Sequence, residues 1–241
     1  MNAAPYYQDE QVTLWHGDAL RFLLDAPAEL SEAAVISDPP YGIAYNSGAS
    51  RKPGNARSIK GDKTTALRDF LVTWLADDQP ALIFGSPRIP KPLGTRGVLV
   101  WDKGGALGMG DLSPPWKFDH EEIYVLGRGF SGRRDTGSVL RFAPVQSTGR
   151  LHPNEKPVEL MRALIAKTGD RTVLDPFSGS GSTLVAAKSL GRRAIGVELD
   201  EAYCEKTAKR LEQGVLDFPM AGTDRPVPRQ IDALDFGEAT A

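Results

Sequence analysis

The chain has 241 residues, 41% hydrophobic and 25% charged, with a formal net charge of −2, one cysteine (Cys204) and three scattered histidines (His16, His120, His152). That composition suits an α/β domain with a sizeable core and excludes a uniformly basic nucleic-acid binder, so any contact with DNA must come from local patches. It also excludes an intrachain disulfide, and the histidine spacing argues against a metal site.

In chain order, Val12–Trp15 reads as a strand followed by Gly17-Asp18, Ala19–Leu24 as a helix, and Ala33–Ser37 as a short buried strand stopped by Pro39-Pro40. From Gly42 to Lys63 the chain is polar and Gly-rich, with Arg51, Lys52, Arg57, Lys60 and Lys63 against the single acid Asp62. A loop of that length in a compact domain is usually functional or disordered. Thr64–Ala76 is an amphipathic helix, and Ala81–Phe84, Val98–Trp101 and Glu121–Val125 are strands. A second basic, Gly-rich stretch runs from Gly127 to Arg141 and carries Arg128, Arg133, Arg134 and Arg141. Pro157 opens a helix to about Thr168, as proline suits a first turn. Arg171–Leu174 is a strand, Ser182–Leu190 a helix, Ala194–Val197 a strand and Glu201–Gln213 a helix. Strands alternating with helices imply an α/β sheet. No apolar run reaches the roughly 18 residues of a membrane span. The N-terminus also lacks the pattern of a signal peptide, so a cytoplasmic protein is expected.

Two segments carry chemistry. The first is the strand, glycine turn, helix and strand over Val173–Asp200, which ends in Glu198. Gly179 and Gly181 let the backbone turn tightly and approach a ligand, and the helix start offers free N–H groups. Glu198 stands where a nucleoside binder places an acceptor for ribose hydroxyls. Leu184 occupies the third glycine position of a dinucleotide fingerprint, so a cofactor with ribose and adenine but no phosphate fits better, and S-adenosylmethionine is such a cofactor.

The second is Ser37-Asp38-Pro39-Pro40-Tyr41-Gly42, at the carboxyl end of a buried strand, where open α/β sheets bind ligands. The prolines remove two donors and leave an acceptor surface, the Asp38 carboxylate and the Pro39 carbonyl, beside an aromatic ring. Two fixed acceptors can hold both hydrogens of an exocyclic amine and make its nitrogen more nucleophilic toward a sulfonium methyl, while Tyr41 stacks on a flipped base.

Asp38-Pro39-Pro40-Tyr41 resembles the DPPY motif of the amino-methyltransferases of DNA, and Asp175-Pro176-Phe177-Ser178-Gly179-Ser180-Gly181 resembles their cofactor motif. With the catalytic motif first, the order resembles the circularly permuted β group. Trp15-His16-Gly17-Asp18, Val100-Trp101-Asp102-Lys103 and Leu151-His152-Pro153-Asn154-Glu155-Lys156-Pro157 resemble three further family segments. The resemblance implies a Rossmann-like methyltransferase sheet with helices on both faces and permuted motif order. It implies a catalytic set of Asp38, Pro39, Pro40 and Tyr41. It places S-adenosylmethionine against Asp18, Asp38, Lys156, Asp175, Pro176, Phe177, Ser178, Gly179, Gly181, Ser182 and Glu198, with Glu198 on the ribose, Asp18 on the adenine amine and Lys156 closing the pocket.

Asp at the first motif position resembles adenine-N6 enzymes more than cytosine-N4 enzymes, although both amines present the same donors. An RNA- or protein-directed amino-methyltransferase and an inactive DNA-binding relative are the other readings. The expected partner is double-stranded DNA, with Arg51, Lys52, Arg57, Lys60, Arg128, Arg133 and Arg134 as phosphate contacts. Residues 1–215 are read as one methyltransferase domain with basic insert loops at 42–63 and 127–150, followed by an acidic, proline-containing tail at 216–241. The span between Tyr124 and His152 is short for the family's target-recognition insert. Recognition then falls to a short site, to the 42–63 loop or to a homodimer. No nuclease motif is present, so a solitary methyltransferase of the kind phages and prophages carry is expected rather than a combined restriction enzyme.

Overall fold

A computed structural model describes residues 4–40, 64–104, 115–116, 119–145 and 155–213. Within them the strands are β1 (Tyr7–Gln8), β2 (Val12–His16), β3 (Ala34–Ser37), β4 (Ala81–Gly85), β5 (Gly97–Asp102), β6 (His120–Leu126), β7 (Val139–Arg141), β8 (Val173–Asp175) and β9 (Ala194–Glu198). The helices are α1 (Ala19–Leu24), α2 (Ala66–Trp74), α3 (Val158–Ile165), α4 (Ser182–Ser189) and α5 (Glu201–Glu212). The strands form one sheet in the order β1-β2-β9-β8-β3-β4-β6-β5-β7. Strands β2, β9, β8, β3 and β4 are mutually parallel, and β6 runs antiparallel between β4 and β5.

Strands β3 and β4 are buried at every position, and apolar but for Ser37 at the end of β3, because both faces of the sheet are covered. Successive residues point to opposite faces. Ile36, Leu82, Phe84 and Ile123 join one core with Leu160, Met161, Leu164, Ile165, Leu184, Cys204 and Leu211, which come from α3, α4 and α5. Val35, Ile83, Tyr124 and Val197 join the other with Phe22, Leu23 and Leu71 from α1 and α2. The α/β sheet with helices on both faces matches the sequence reading.

Two short edge strands had no sequence signal. Strand β7 lies inside the stretch read as the 127–150 insert loop, where Leu140 is buried between exposed Val139 and Arg141. It pairs in parallel with β5. Strand β1 forms a hairpin with β2, closed by Asp9, whose carboxylate accepts from the backbone of Gln11 and Val12.

The chain continues from β8 to β9 on one side and from β3 to β4 on the other, although β8 and β3 are neighbours. This reversal is the topological switch point, and in open α/β sheets the crevice beyond the carboxyl ends of such strands takes the ligand.

Candidate active site

Three neighbouring strand ends supply acids. Glu198 ends β9, Asp175 ends β8, and Asp38 follows β3. Ser37 Oγ donates to Asp175 Oδ1 at 2.6 Å, and Thr183 Oγ1 donates to Asp175 Oδ2 at 2.5 Å. The Phe177 N–H adds a third bond at 3.2 Å. Asp175, 3% exposed, thus clasps the residue before Asp38 to the first turn of α4. Burial outweighs these donors and pushes its carboxyl up to about 6. Pro176 is buried beside it, and Phe177 packs partly buried against the α1/α2 core. Ser178 turns inward, its N–H and Oγ both donating to Val197 O.

The two glycines of the turn serve different purposes. At Gly179, φ is +52° and a Cβ would meet nothing within 4 Å, so its side faces open space. At Gly181, φ is +79° and a Cβ would collide with Thr207 of α5, so that glycine answers to helix packing rather than to ligand approach. Glu198 braces the turn, since its Oε2 accepts from Gly179 N–H at 2.8 Å and its Oε1 from Asp200 N–H at 2.7 Å. Burial raises the Glu198 carboxyl above the ordinary glutamate range despite those bonds. Ser182, 6% exposed at the start of α4, has a buried Oγ with no protein partner among the described residues. Asp18 is exposed, caps α1 by accepting from Arg21 N–H at 3.0 Å, and lies beside the end of β9 because Gly17 N–H donates to Glu198 O.

On the other side of Asp38 the chemistry is ionic. Lys156 Nζ donates to Asp38 Oδ2 at 2.5 Å and stands 3.0 Å from Glu121 Oε2. Glu121 Oε1 accepts from Lys103 Nζ. Burial alone would pull the Lys156 ammonium down, but Asp38 and Glu121 together lift it above the ordinary lysine range. Burial likewise opposes ionisation of Glu121, and Lys156 and Lys103 overcome it, so its carboxyl sits below the usual range. Lys156 therefore grips the carboxylate read as catalytic.

Not every expected site residue is placed at these strand ends. Tyr41, Arg51, Lys52, Arg57 and Lys60 lie outside the described residues. Arg128, Arg133 and Arg134 are exposed, but they follow β6, whose last residue Leu126 pairs with Ala81 at the start of β4. Ser131 N–H donates to Lys167 O beyond α3, and Lys167 Nζ donates to Arg133 O at 2.7 Å. This segment is thus pinned at the amino-terminal edge of the parallel strands, opposite Asp38. Only Arg141 of that stretch returns to the catalytic edge, where its Nε pairs with Asp102 Oδ2 at 3.1 Å.

Four site residues carried no local signal. Ser37 and Glu121 act through partners distant in sequence, and Thr183 through Asp175 eight residues earlier, across the glycine turn. Arg210 of α5 donates to Ser180 O at 2.6 Å and pairs with Glu155 at 3.1 Å, which joins the glycine turn to the segment holding Lys156.

A glycine turn and an acidic proline segment on adjacent strand ends of this sheet define a Rossmann-like methyltransferase. A family model described as DNA methylase matches residues 112–210. YubD of Escherichia coli (strain K12), a methylase by name, is 30% identical over 213 residues, covering 81% of this chain and 88% of that protein. The type II methyltransferase M2.DpnII of Streptococcus pneumoniae is 28% identical over 264 residues, covering 86% and 92%. Among solved structures, the cytosine-N4-specific PvuII DNA methyltransferase superposes with a TM-score of 0.66 at 16% identity, covering 87% of this chain and 89% of that one. The complex of M1.HpyAVI with S-adenosylmethionine superposes with a TM-score of 0.60 at 22% identity, covering 83% and 98%. The chain belongs to the N6/N4 DNA methylases, a family of S-adenosylmethionine-dependent methyltransferases.

Proposed function

We propose that the chain methylates the exocyclic N6 of an adenine flipped out of double-stranded DNA, with Asp38, Pro39, Pro40 and Tyr41 as the catalytic segment. The observation that carries this reading is the bond from Ser37 to Asp175, which ties the catalytic segment to the cofactor turn on neighbouring strand ends. The choice of adenine rests on Asp38 at the first motif position.

The residues present fit S-adenosylmethionine. The Ser182 hydroxyl, without a partner among the described residues, and the N–H groups at the start of α4 suit the methionine carboxylate. The open side of Gly179 admits the ligand. Glu198 has lone pairs beyond its two backbone bonds for ribose hydroxyls, and Asp18 is exposed beside it for the adenine amine. When bound, the cofactor supplies a methyl group activated on a sulfonium.

The chain's own groups position and accept. The Asp38 carboxylate and the Pro39 carbonyl would accept hydrogen bonds from the two amine hydrogens, leaving the nitrogen lone pair to form the new N–C bond as the donor's methyl–sulfur bond breaks, its electron pair staying on sulfur. One amine hydrogen then leaves as a proton to solvent. Tyr41 stacks on the extrahelical base. Arg51, Lys52, Arg57 and Lys60 follow the catalytic segment directly in sequence and are the proposed phosphate contacts. Arg128, Arg133 and Arg134 are not, because their segment is pinned at the opposite edge of the sheet.

The test is transfer of labelled methyl from S-adenosylmethionine to unmethylated duplex DNA, followed by nucleoside analysis. Label is expected in N6-methyldeoxyadenosine. Label only in N4-methyldeoxycytidine moves the target to cytosine, and label in RNA or protein with none in DNA overturns the reading.

A further inference from the structure

Accepting an amine hydrogen requires one carboxylate, yet Asp38 ends a row of four charges. Lys103 follows β5, Glu121 lies on β6, Lys156 precedes α3 and Asp38 follows β3. The signs alternate, so the row is neutral, and consecutive members are in direct contact. The Lys156 side chain is 6% exposed. Its Nζ stands 4.9 Å from the centre of the Phe84 ring and 5.9 Å from that of Trp101, while Lys103 Nζ stands 4.8 Å from Trp101. An ammonium so enclosed keeps its charge only because carboxylates face it.

We propose that Lys156 is a positioning residue that holds Asp38 ionised and in one rotamer, and that Glu121, anchored by Lys103, is the buttress that keeps Lys156 in place. This rests on the reading of Asp38 as the amine acceptor.

The geometry assigns each member its task. A carboxylate one-quarter exposed at a strand end could swing or take a proton, and either event removes the acceptor. Lys156 prevents both by occupying Oδ2 with a charge-assisted bond, and a carboxylate so engaged keeps acceptor capacity for the amine. The backbone supports the buttress, since Glu121 pairs with Trp101 across β5 and β6, next to Lys103. Among the described residues, the charged groups facing Asp38 include Lys156 and Asp175 at the end of β8, with Glu121 and Lys103 beyond Lys156. The end of β4, Gly85-Ser86, brings none.

The experiment compares Lys156→Met, Lys156→Arg and Glu121→Gln in the full chain by three readouts: the pH profile of kcat on duplex DNA, the Kd for S-adenosylmethionine, and the carboxyl titration of Asp38 by carbon-13 NMR. In Lys156→Met the acid limb of kcat and the Asp38 titration should both move up by about one pH unit or more, because a cation has left the carboxylate. The cofactor Kd should stay within about threefold. Lys156→Arg should restore the limb. Glu121→Gln should lower kcat about tenfold with the limb in place, because the cation remains and only its buttress is lost. An unmoved limb and titration in Lys156→Met would overturn the proposal. So would unchanged kcat in Glu121→Gln, or a loss confined to cofactor affinity in either variant. If Lys156→Met does not fold, the Glu121→Gln result decides. If the wild-type chain leaves DNA unmethylated, the functional reading fails, and the Asp38 titration still judges the positioning role without turnover.

Discussion

The two halves of the site hold carboxylates by opposite means. On the proposed cofactor side, Asp175 is buried and held by hydroxyls and a backbone N–H, half-buried Glu198 is held by backbone N–H groups, neither has an ion-pair partner among the described residues, and both carboxyls are raised. On the substrate side, Lys156 grips Asp38, and Glu121 lies between two lysines with its carboxyl lowered. Partner type, not residue type, sets the direction. Neutral donors fix geometry without fully offsetting the desolvation of an anion, whereas an ammonium offsets it and holds the charge. On the proposed roles, a half that receives a cationic cofactor gains from anions not paired to a cation, and a half that accepts amine hydrogens gains from a carboxylate held by an ammonium.

Substitutions separate the halves. The largest effect is expected from Asp38→Ala, which should cut kcat by about 10³-fold or more while the cofactor Kd, measured by calorimetry, changes little. A comparable loss of cofactor affinity would erase the division. Next, Glu198→Ala should weaken cofactor binding about 10- to 100-fold, because it removes both the proposed ribose acceptor and the brace on Gly179. If binding is unchanged, Glu198 belongs to the fold alone.

Asp175→Asn probes the neutral clasp through pH. A carboxyl raised from 3.8 to about 6 in the fold contributes most to stability below pH 4, and that contribution is lost as pH rises through 6. Wild type should therefore lose stability relative to Asp175→Asn between pH 4 and pH 7, by an amount on the order of 3 kcal/mol, in urea unfolding at several pH values. A difference of the opposite sign would mean that the hydroxyls hold the charged form. Ser182→Ala should weaken the cofactor only several-fold, as the loss of one hydrogen bond does. The smallest effect is expected from Arg133→Ala with Arg134→Ala: less than about twofold on DNA affinity at fixed salt, since neither arginine borders the catalytic edge.

Much of the site was legible because it is local. Asp38-Pro39-Pro40 and the glycine turn each carry their conformational demands in consecutive residues, and each follows a short apolar strand whose carboxyl end is apparent from the pattern. Helices α4 and α5 announce themselves by position after the turn and after Glu198. The edge strand β7 was hidden because it buries only Leu140, too little for a periodicity. Gly181 could not be told from Gly179, because the reason for it is Thr207 on another helix.

The sequence by itself determined the order of the central strands and helices, the two motifs and the class of chemistry, since turn glycines, paired prolines and short apolar runs constrain the backbone within a few residues. Only the tertiary structure decided which charges meet. It set Lys156 against Asp38, placed Glu121 between two lysines, and sent Arg128, Arg133 and Arg134 to the far edge of the sheet. The reason is physical. Ion pairs form between side chains brought together by strand order and burial, and neither quantity is written in local sequence spacing.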